Sequence, residues 1–258
     1  MDLAKANAIA IKDMKEVFSS VSIYGPMIGV PLFFAIVLPV LTFYVAEYAA
    51  PGIASKFVSA VSVHAVSVGS LAFMSFFSVN ILGPIFLTLP IITASVIAAD
   101  SFAGEKERKT AEALLAMPLS NFELLLGKIL ASFIPTVLLT FAIFAIYGLT
   151  TNYLSYAAFH AVILPTAPWL MMIALTPFLA IAAIGVVVLV SAHVRGVKEA
   201  QQISTLLILP LLVMPFMAIL GFVSLTVDFF VELLVFVGLI DVFIVYIGAN
   251  RFERENLV

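Results

Sequence analysis

Three observations predict an all-α integral membrane fold for this sequence. Hydrophobic residues make up 64% of the 258 positions and charged residues only 10%, where a soluble domain carries about 25% charged. Six apolar stretches come close to the roughly 20 residues that an α-helix needs to cross a bilayer. The basic residues fall almost entirely in alternate connections between those stretches.

The chain starts with an amphipathic pattern. Over residues 3–19, Leu3, Ala6, Ala10, Met14, Val17 and Phe18 recur at three- and four-residue spacing. Lys5, Lys12, Asp13, Lys15 and Glu16 lie mainly on other faces. This predicts a helix lying in the headgroup plane. Residues 1–20 lack the compact apolar core of a cleavable signal.

The predicted spans are about 24–45, 80–99, 122–148, 167–190, 203–224 and 230–249. Prolines at 39, 84, 90, 135, 177, 210 and 215 fall inside them. A membrane helix tolerates these where neighbouring helices or Ser/Thr side chains satisfy the freed carbonyls. Gly25-x-x-x-Gly29 allows close helix approach in the first span.

With an inside N-terminus, the inside segments hold Lys5, Lys12, Lys15, Lys106, Arg108, Lys109, Lys128, Arg195, Lys198, Arg251 and Arg254. The outside segments hold only Lys56. Both termini are therefore expected in the cytoplasm. Residues 57–79 carry no Asp, Glu, Lys or Arg, but a seventh span there would invert every later segment. Residues 52–79 are read instead as an external element: re-entrant, lying on the membrane, or extending the second span outward. Residues 151–166, with Tyr153, Tyr156 and His160, form a shorter external counterpart.

Several chemistries find no support. There is no cysteine, hence no disulfide, thiol nucleophile or thiolate metal site. His64, His160 and His193 are isolated. No phosphate-cradling glycine loop with its lysine occurs, and no Gly-x-Ser-x-Gly elbow. A net charge of −3 suggests no nucleic-acid partner. Neither catalytic nor cofactor nor metal residues are assigned. Asp241, in the middle of the last span, is the one polar oddity. A carboxyl at that depth must face the protein interior or a water-filled cavity. It is either part of a substrate or ion path or a buried, neutral structural group.

The densest charge lies between Asp100 and Glu112, seven Asp/Glu/Lys/Arg residues in a short stretch. A helix is expected over about 105–117. Glu105 would pair with Lys109 and Arg108 with Glu112 one turn on, and Pro118 would end it. Ser120-x-x-Glu123 has the form of a capping box opening the next helix. A short, rigid, charged helix between two spans suits docking onto a soluble partner; the plainer reading is a solvated loop.

This stretch resembles the signature of the ABC type-2 permeases. The matching residues are Asp100, Phe102, Gly104-Glu105, Glu107, Thr110, Glu112, Leu114-Leu115, Pro118 and Gly127-Lys128. Lys109 stands where the family usually has glycine, and Arg251-Phe252-x-Arg254-Glu255 is similar to the family's ending. The resemblance implies the membrane subunit of an ATP-driven exporter in the cell membrane. Two such subunits, identical or homologous, would form the pathway. Separate ABC ATPase subunits, holding ATP and magnesium, would drive it through a coupling helix at 105–117. Asp100, Gly104, Glu105, Glu107, Thr110, Glu112, Leu114, Leu115 and Pro118 are its implied coupling residues. The interfacial N-terminal helix would also touch the ATPase. The apolar walls suit an amphipathic or lipid-like substrate. The alternative is an ion-coupled secondary transporter using Asp241, against which stands the lack of internal repeats. An intramembrane enzyme is disfavoured by the missing catalytic cluster.

Overall fold

The structure is a computed structural model that describes residues 3–49, 69–108, 120–191, 193–194 and 196–251. Within these residues the chain is helical, with six helices long and apolar enough to cross a membrane. Helix α1 spans Leu3–Ser19. Helix α2, Val21–Tyr44, runs on through a π-helical turn at Val45–Ala49. Helix α3 is the long second span, Ser70–Glu107, with a π-helical stretch at Phe77–Leu82. Helix α4 is Asn121–Phe159 and α5 is Ala167–Ser191. Helices α6, Val197–Thr205, and α7, Ile208–Ile219, together form the fifth span. Helix α8, Val227–Arg251, is the last.

The centre of the bundle is α3. In its most apolar window 78% of residues are buried, against 22% for α2, the α6–α7 span and α8. The peripheral helices thus leave much of their apolar surface exposed, as at Phe33, Phe34, Phe216 and Phe243. The heaviest packing is α3 on α5, α1 on α4 and α8 on α5. Gly185 of α5 makes the last contact possible: a Cβ there would lie 2.2 Å from Ile244 Cγ2.

Hydroxyls inside the spans are mostly tied to their own helix, which spares lipid an unsatisfied polar group. Thr140 donates to Thr136 O at 2.8 Å and Ser95 to Ile91 O at 2.6 Å. Pro177 has no N–H for Ile173 O, and the Thr176 hydroxyl donates to that carbonyl instead, at 2.8 Å. Ser95 of α3 also meets Ser204 of α6 at 2.6 Å, and Ser204 donates to Ala183 O of α5. One small polar joint thereby ties three helices.

Several expected boundaries move. The second span begins about ten residues before 80 and runs past 99 to Glu107. Residues 70–79 are therefore its extension; the remainder of the expected external element, through residue 68, lies outside the described residues. The third helix does not stop at 148 but continues to Phe159. Its Thr150-Thr151-Asn152 is polar. Yet Thr151 and Ser155 are fully buried, and Asn152 clamps the next loop. The Asn152 Oδ1 accepts from Ile163 N and Leu164 N, and its Nδ2 donates to Leu164 O. The fifth span starts at Val197 rather than 203 and ends at Ile219, broken near Leu206 and Leu207. In α1 the buried face is Ala6, Ala10, Asp13 and Val17, whereas Phe18 is exposed. The predicted stripe was thus rotated, because Asp13 faces inward for a reason given next.

Candidate functional site: an ion network at one membrane face

Four parts of the chain meet at the end of the bundle that carries α1. These are α1 itself, the last two turns of α3, the first turns of α4 and the start of α6. Lys128 is at the centre. Gly127-Lys128 opens the third span, and the lysine side chain is fully buried. A cation so placed needs carboxylates and hydrogen-bond acceptors around it. Its Nζ lies 2.7 Å from Glu105 Oε2 and 3.7 Å from Asp13 Oδ2. It donates to Ser101 O and, at 3.3 Å, to Ser101 Oγ. The Ser101 hydroxyl in turn donates to Asp13 Oδ2 at 2.6 Å. The ring of Phe102, also buried, has its centroid 5.3 Å from the ammonium, within cation–π range.

A second layer closes over this centre toward solvent. Lys12 lies 3.2 Å from Asp13 Oδ1, 3.6 Å from Glu105 Oε1 and 3.8 Å from Glu16 Oε2. Arg108 lies 3.2 Å from Asp100 Oδ1 and 3.4 Å from Glu16 Oε1. Partial burial pushes the Lys12 ammonium down, but Asp13, Glu105 and Glu16 outweigh it and hold the pKa above its ordinary value. Arg108 is raised in the same way, with burial opposed by Asp100, Glu16 and Glu105. Three cations and four carboxylates thus form one connected set.

The glycines of the motif serve close approach. A Cβ at Gly104 would lie 2.9 Å from Arg108 Nη2 and 3.1 Å from Asp100 Oδ1, so the glycine leaves room for that ion pair. A Cβ at Gly127 would lie 2.8 Å from Ala6 O and 2.8 Å from Ile9 Cβ, so this glycine lets α1 lie against α4. Glu107 points elsewhere. Its Oε2 accepts from the Val197 N–H at 3.1 Å, placing a carboxylate at the positive end of α6. Gly196 leaves the space for it, since a Cβ there would come within 2.6 Å of that oxygen. The capping box is present: Glu123 N donates to Ser120 Oγ at 3.2 Å and Ser120 N to Glu123 Oε2 at 3.0 Å.

The expected site residues therefore divide. Asp100, Gly104, Glu105 and Glu107 belong to the end of α3, which continues without a break to Glu107. Glu105 does not open a separate helix. It is 6% exposed and turned to Lys128. Among the described residues Arg108 pairs with Asp100 and Glu16; its expected partner Glu112 lies outside them. Thr110, Glu112, Leu114, Leu115 and Pro118, together with Lys109 and the body of the expected coupling helix, lie outside the described residues. Asp241 is far from this network. It is 6% exposed on the face of α8 that packs against α5, between the Gly238–Phe178 and Ile244–Gly185 contacts. Neither of its carboxylate oxygens has a hydrogen-bond partner among the described residues. Sequence reasoning passed over Asp13, Ser101 and Lys12 as network members. The available signal was an acid among small apolar residues on α1's inner face.

The fold and this face define a six-span, helical membrane protein with a buried ion network at one end of the bundle. The family model described as ABC-2 family transporter protein matches residues 7–251, and the chain belongs to that family. It is accordingly a membrane permease of an ABC transporter, and the family implies an ABC ATPase as its partner. No curated protein matches the sequence.

Proposed function

We propose that the chain is the permease subunit of an ATP-driven exporter that forms its pathway as a dimer, with separate ATPase subunits docked on the face carrying the ion network. The observation that carries this reading is the network itself. It fastens α1, α3 and α4 around Lys128, while Glu107 fastens α3 to α6. A push on the segment after Arg108, or on α1, would move the ends of three spans together. That is what an ATPase needs if nucleotide-driven closure is to shift the bundle between two states. Asp100 and Gly104 shape the outer layer of the joint, and Glu105 locks its centre. Thr110, Glu112, Leu114, Leu115 and Pro118 would supply the docking helix itself. ATP and magnesium would bind only on the partner. The basic residues gathered on this face support a cytoplasmic location for it and for both termini, in the cell membrane.

Asp241 fits a different role, as a buried group of the α5–α8 contact or part of a path. The second reading, an ion-coupled transporter, rests on its unpartnered carboxyl. The deciding experiment is purification of the chain from native membranes followed by assay of ATP hydrolysis. The exporter reading expects an ATPase subunit to come with it, with hydrolysis that responds to Lys128→Met. Transport driven by an ion gradient without any ATPase would overturn it.

A further inference from the structure

At the opposite end of the bundle a cleft of about 390 Å³ opens beside α3. It is an open groove rather than an enclosed cavity. Its main wall is one face of α3, where Ser75, Phe76, Val79 and Asn80 recur at helical spacing. Thr166 and Leu225, before α5 and α8, form the other side. Among the described residues no Asp, Glu, Lys, Arg or His lines it. Phe76, Val79 and Leu225 give an apolar surface, while Ser75, Asn80 and Thr166 give hydrogen-bonding groups.

Four further features mark the cleft. Val79 and Asn80 lie in the π-helical stretch Phe77–Leu82, and π turns inside helices gather at functional sites. Asn80 donates from Nδ2 to Phe76 O at 3.1 Å, which leaves its carbonyl oxygen able to accept. The Thr166 hydroxyl accepts from Trp169 N at 3.3 Å, which leaves its own proton to donate. The facing wall is fixed by the Asn152 clamp on Ile163 and Leu164.

The depth of the cleft follows from helix rise. Asn80 stands about 30 Å along α3 from Asp100 at 1.5 Å per residue, and that length matches the hydrocarbon thickness of a bilayer, about 30 Å. With the ion network at one surface, the cleft falls at the headgroup level of the opposite leaflet.

We propose that this cleft binds a neutral amphiphile, its hydroxyl or amide group held by Asn80 and Thr166 and its apolar body laid on Phe76, Val79 and Leu225. The described lining carries no charge, which disfavours an anionic or cationic headgroup, since a charged group against these residues would lose water without gaining a partner. The occupant comes either from the membrane, as a resident lipid, or from the transported cargo. The inference does not rest on the ATP-driven reading, because binding is measured without the partner.

The test uses full-length protein in nanodiscs and a diazirine-bearing monoacylglycerol as probe, with diazirine-bearing phosphatidylglycerol as the charged comparison. Photolabelled residues are mapped by mass spectrometry. Saturable labelling around residues 72–80 and 166–168 by the neutral probe is expected. Asn80→Leu should weaken it about 2- to 10-fold, the usual worth of one neutral hydrogen bond. Ala72→Phe, at the half-buried rim, should block it by filling space without touching the polar groups. Absence of saturable labelling, equal labelling by the anionic probe, or labelling unchanged in both variants would overturn the proposal. A further arm repeats the measurement on the assembled transporter hydrolysing ATP. Loss of label during turnover assigns the occupant to cargo and persistence assigns it to resident lipid, and both outcomes support the binding site.

Discussion

Lys128→Met removes the ammonium at the centre of the network and keeps most of the side chain's length. Glu105, 6% exposed, then loses its partner at 2.7 Å, while the half-exposed Lys12 stays at 3.6 Å. Asp13 keeps Ser101 and Lys12 but loses the third contact. Removing one partner of a buried pair costs about 3–5 kcal/mol, because an uncompensated charge stays behind. An exposed pair such as Lys12–Glu16 is worth about 0–1 kcal/mol. The double variant Lys128→Met with Glu105→Gln removes both charges, so it should recover most of the loss. The assay is reversible unfolding in mixed micelles of increasing denaturing detergent, for wild type, both single variants and the double variant. Protease sensitivity of α1 is measured in parallel, and release of α1 should accompany the loss. A single variant costing less than about 1 kcal/mol, or a double variant no better than the sum of the singles, would show that the network is not a lock.

Gly127→Ala should loosen α1 from α4, because its Cβ would sit 2.8 Å from Ala6 O. Faster proteolysis of α1 with the spans still inserted is the expected result. Gly185→Ala should destabilise the α5–α8 contact by about 1–3 kcal/mol through overpacking, and Ile244→Ala should relieve it in the double variant. The Lys12 contribution has a definite pH sign. Its pKa is raised above the ordinary 10.5, so its stabilisation is fully present below that value and is lost as pH rises through the folded pKa. The stability difference between wild type and Lys12→Met should therefore stay constant across neutral pH and shrink only in strong alkali. Asp241→Leu replaces a buried carboxyl that has no hydrogen-bond partner among the described residues. The fold should survive in unfolding assays, and a transport defect in folded protein would assign Asp241 to the pathway rather than to packing.

The membrane class was readable because long apolar runs have one physical explanation in this composition. The Ser120–Glu123 box was readable because its partners are three residues apart and the hydrogen bonds are local. The ends of the spans were harder. Hydropathy treats Thr151, Asn152 and Ser155 as loop-forming, but buried helix faces take hydroxyls and one clamping amide. The pairing of Glu105 was out of reach for the same reason that the box was not. Its partner Lys128 lies on another helix and Asp13 on a third, so sequence distance hides both. Within the charged stretch the pairs at helical spacing are Glu105–Lys109 and Arg108–Glu112, read on a helix starting at Glu105. Instead α3 runs on to Glu107, and that continuity turns Glu105 inward.

The claim that an ATPase pulls on this permease at the charged face is tested most directly by site-specific photo-crosslinking in native membranes. A photoreactive residue is placed in turn at Lys106, Glu112 and Leu115, and at Tyr153 near the opposite end as control. The account predicts a crosslink to a co-purifying, ATP-hydrolysing subunit from one or more of the first three positions and none from Tyr153. Interface charges at such a contact are worth about 2–5 kcal/mol when buried, so Glu112→Arg should also reduce the crosslink yield. An ATPase that crosslinks only from Tyr153, or a functional transporter with no ATPase crosslink at all, would contradict it.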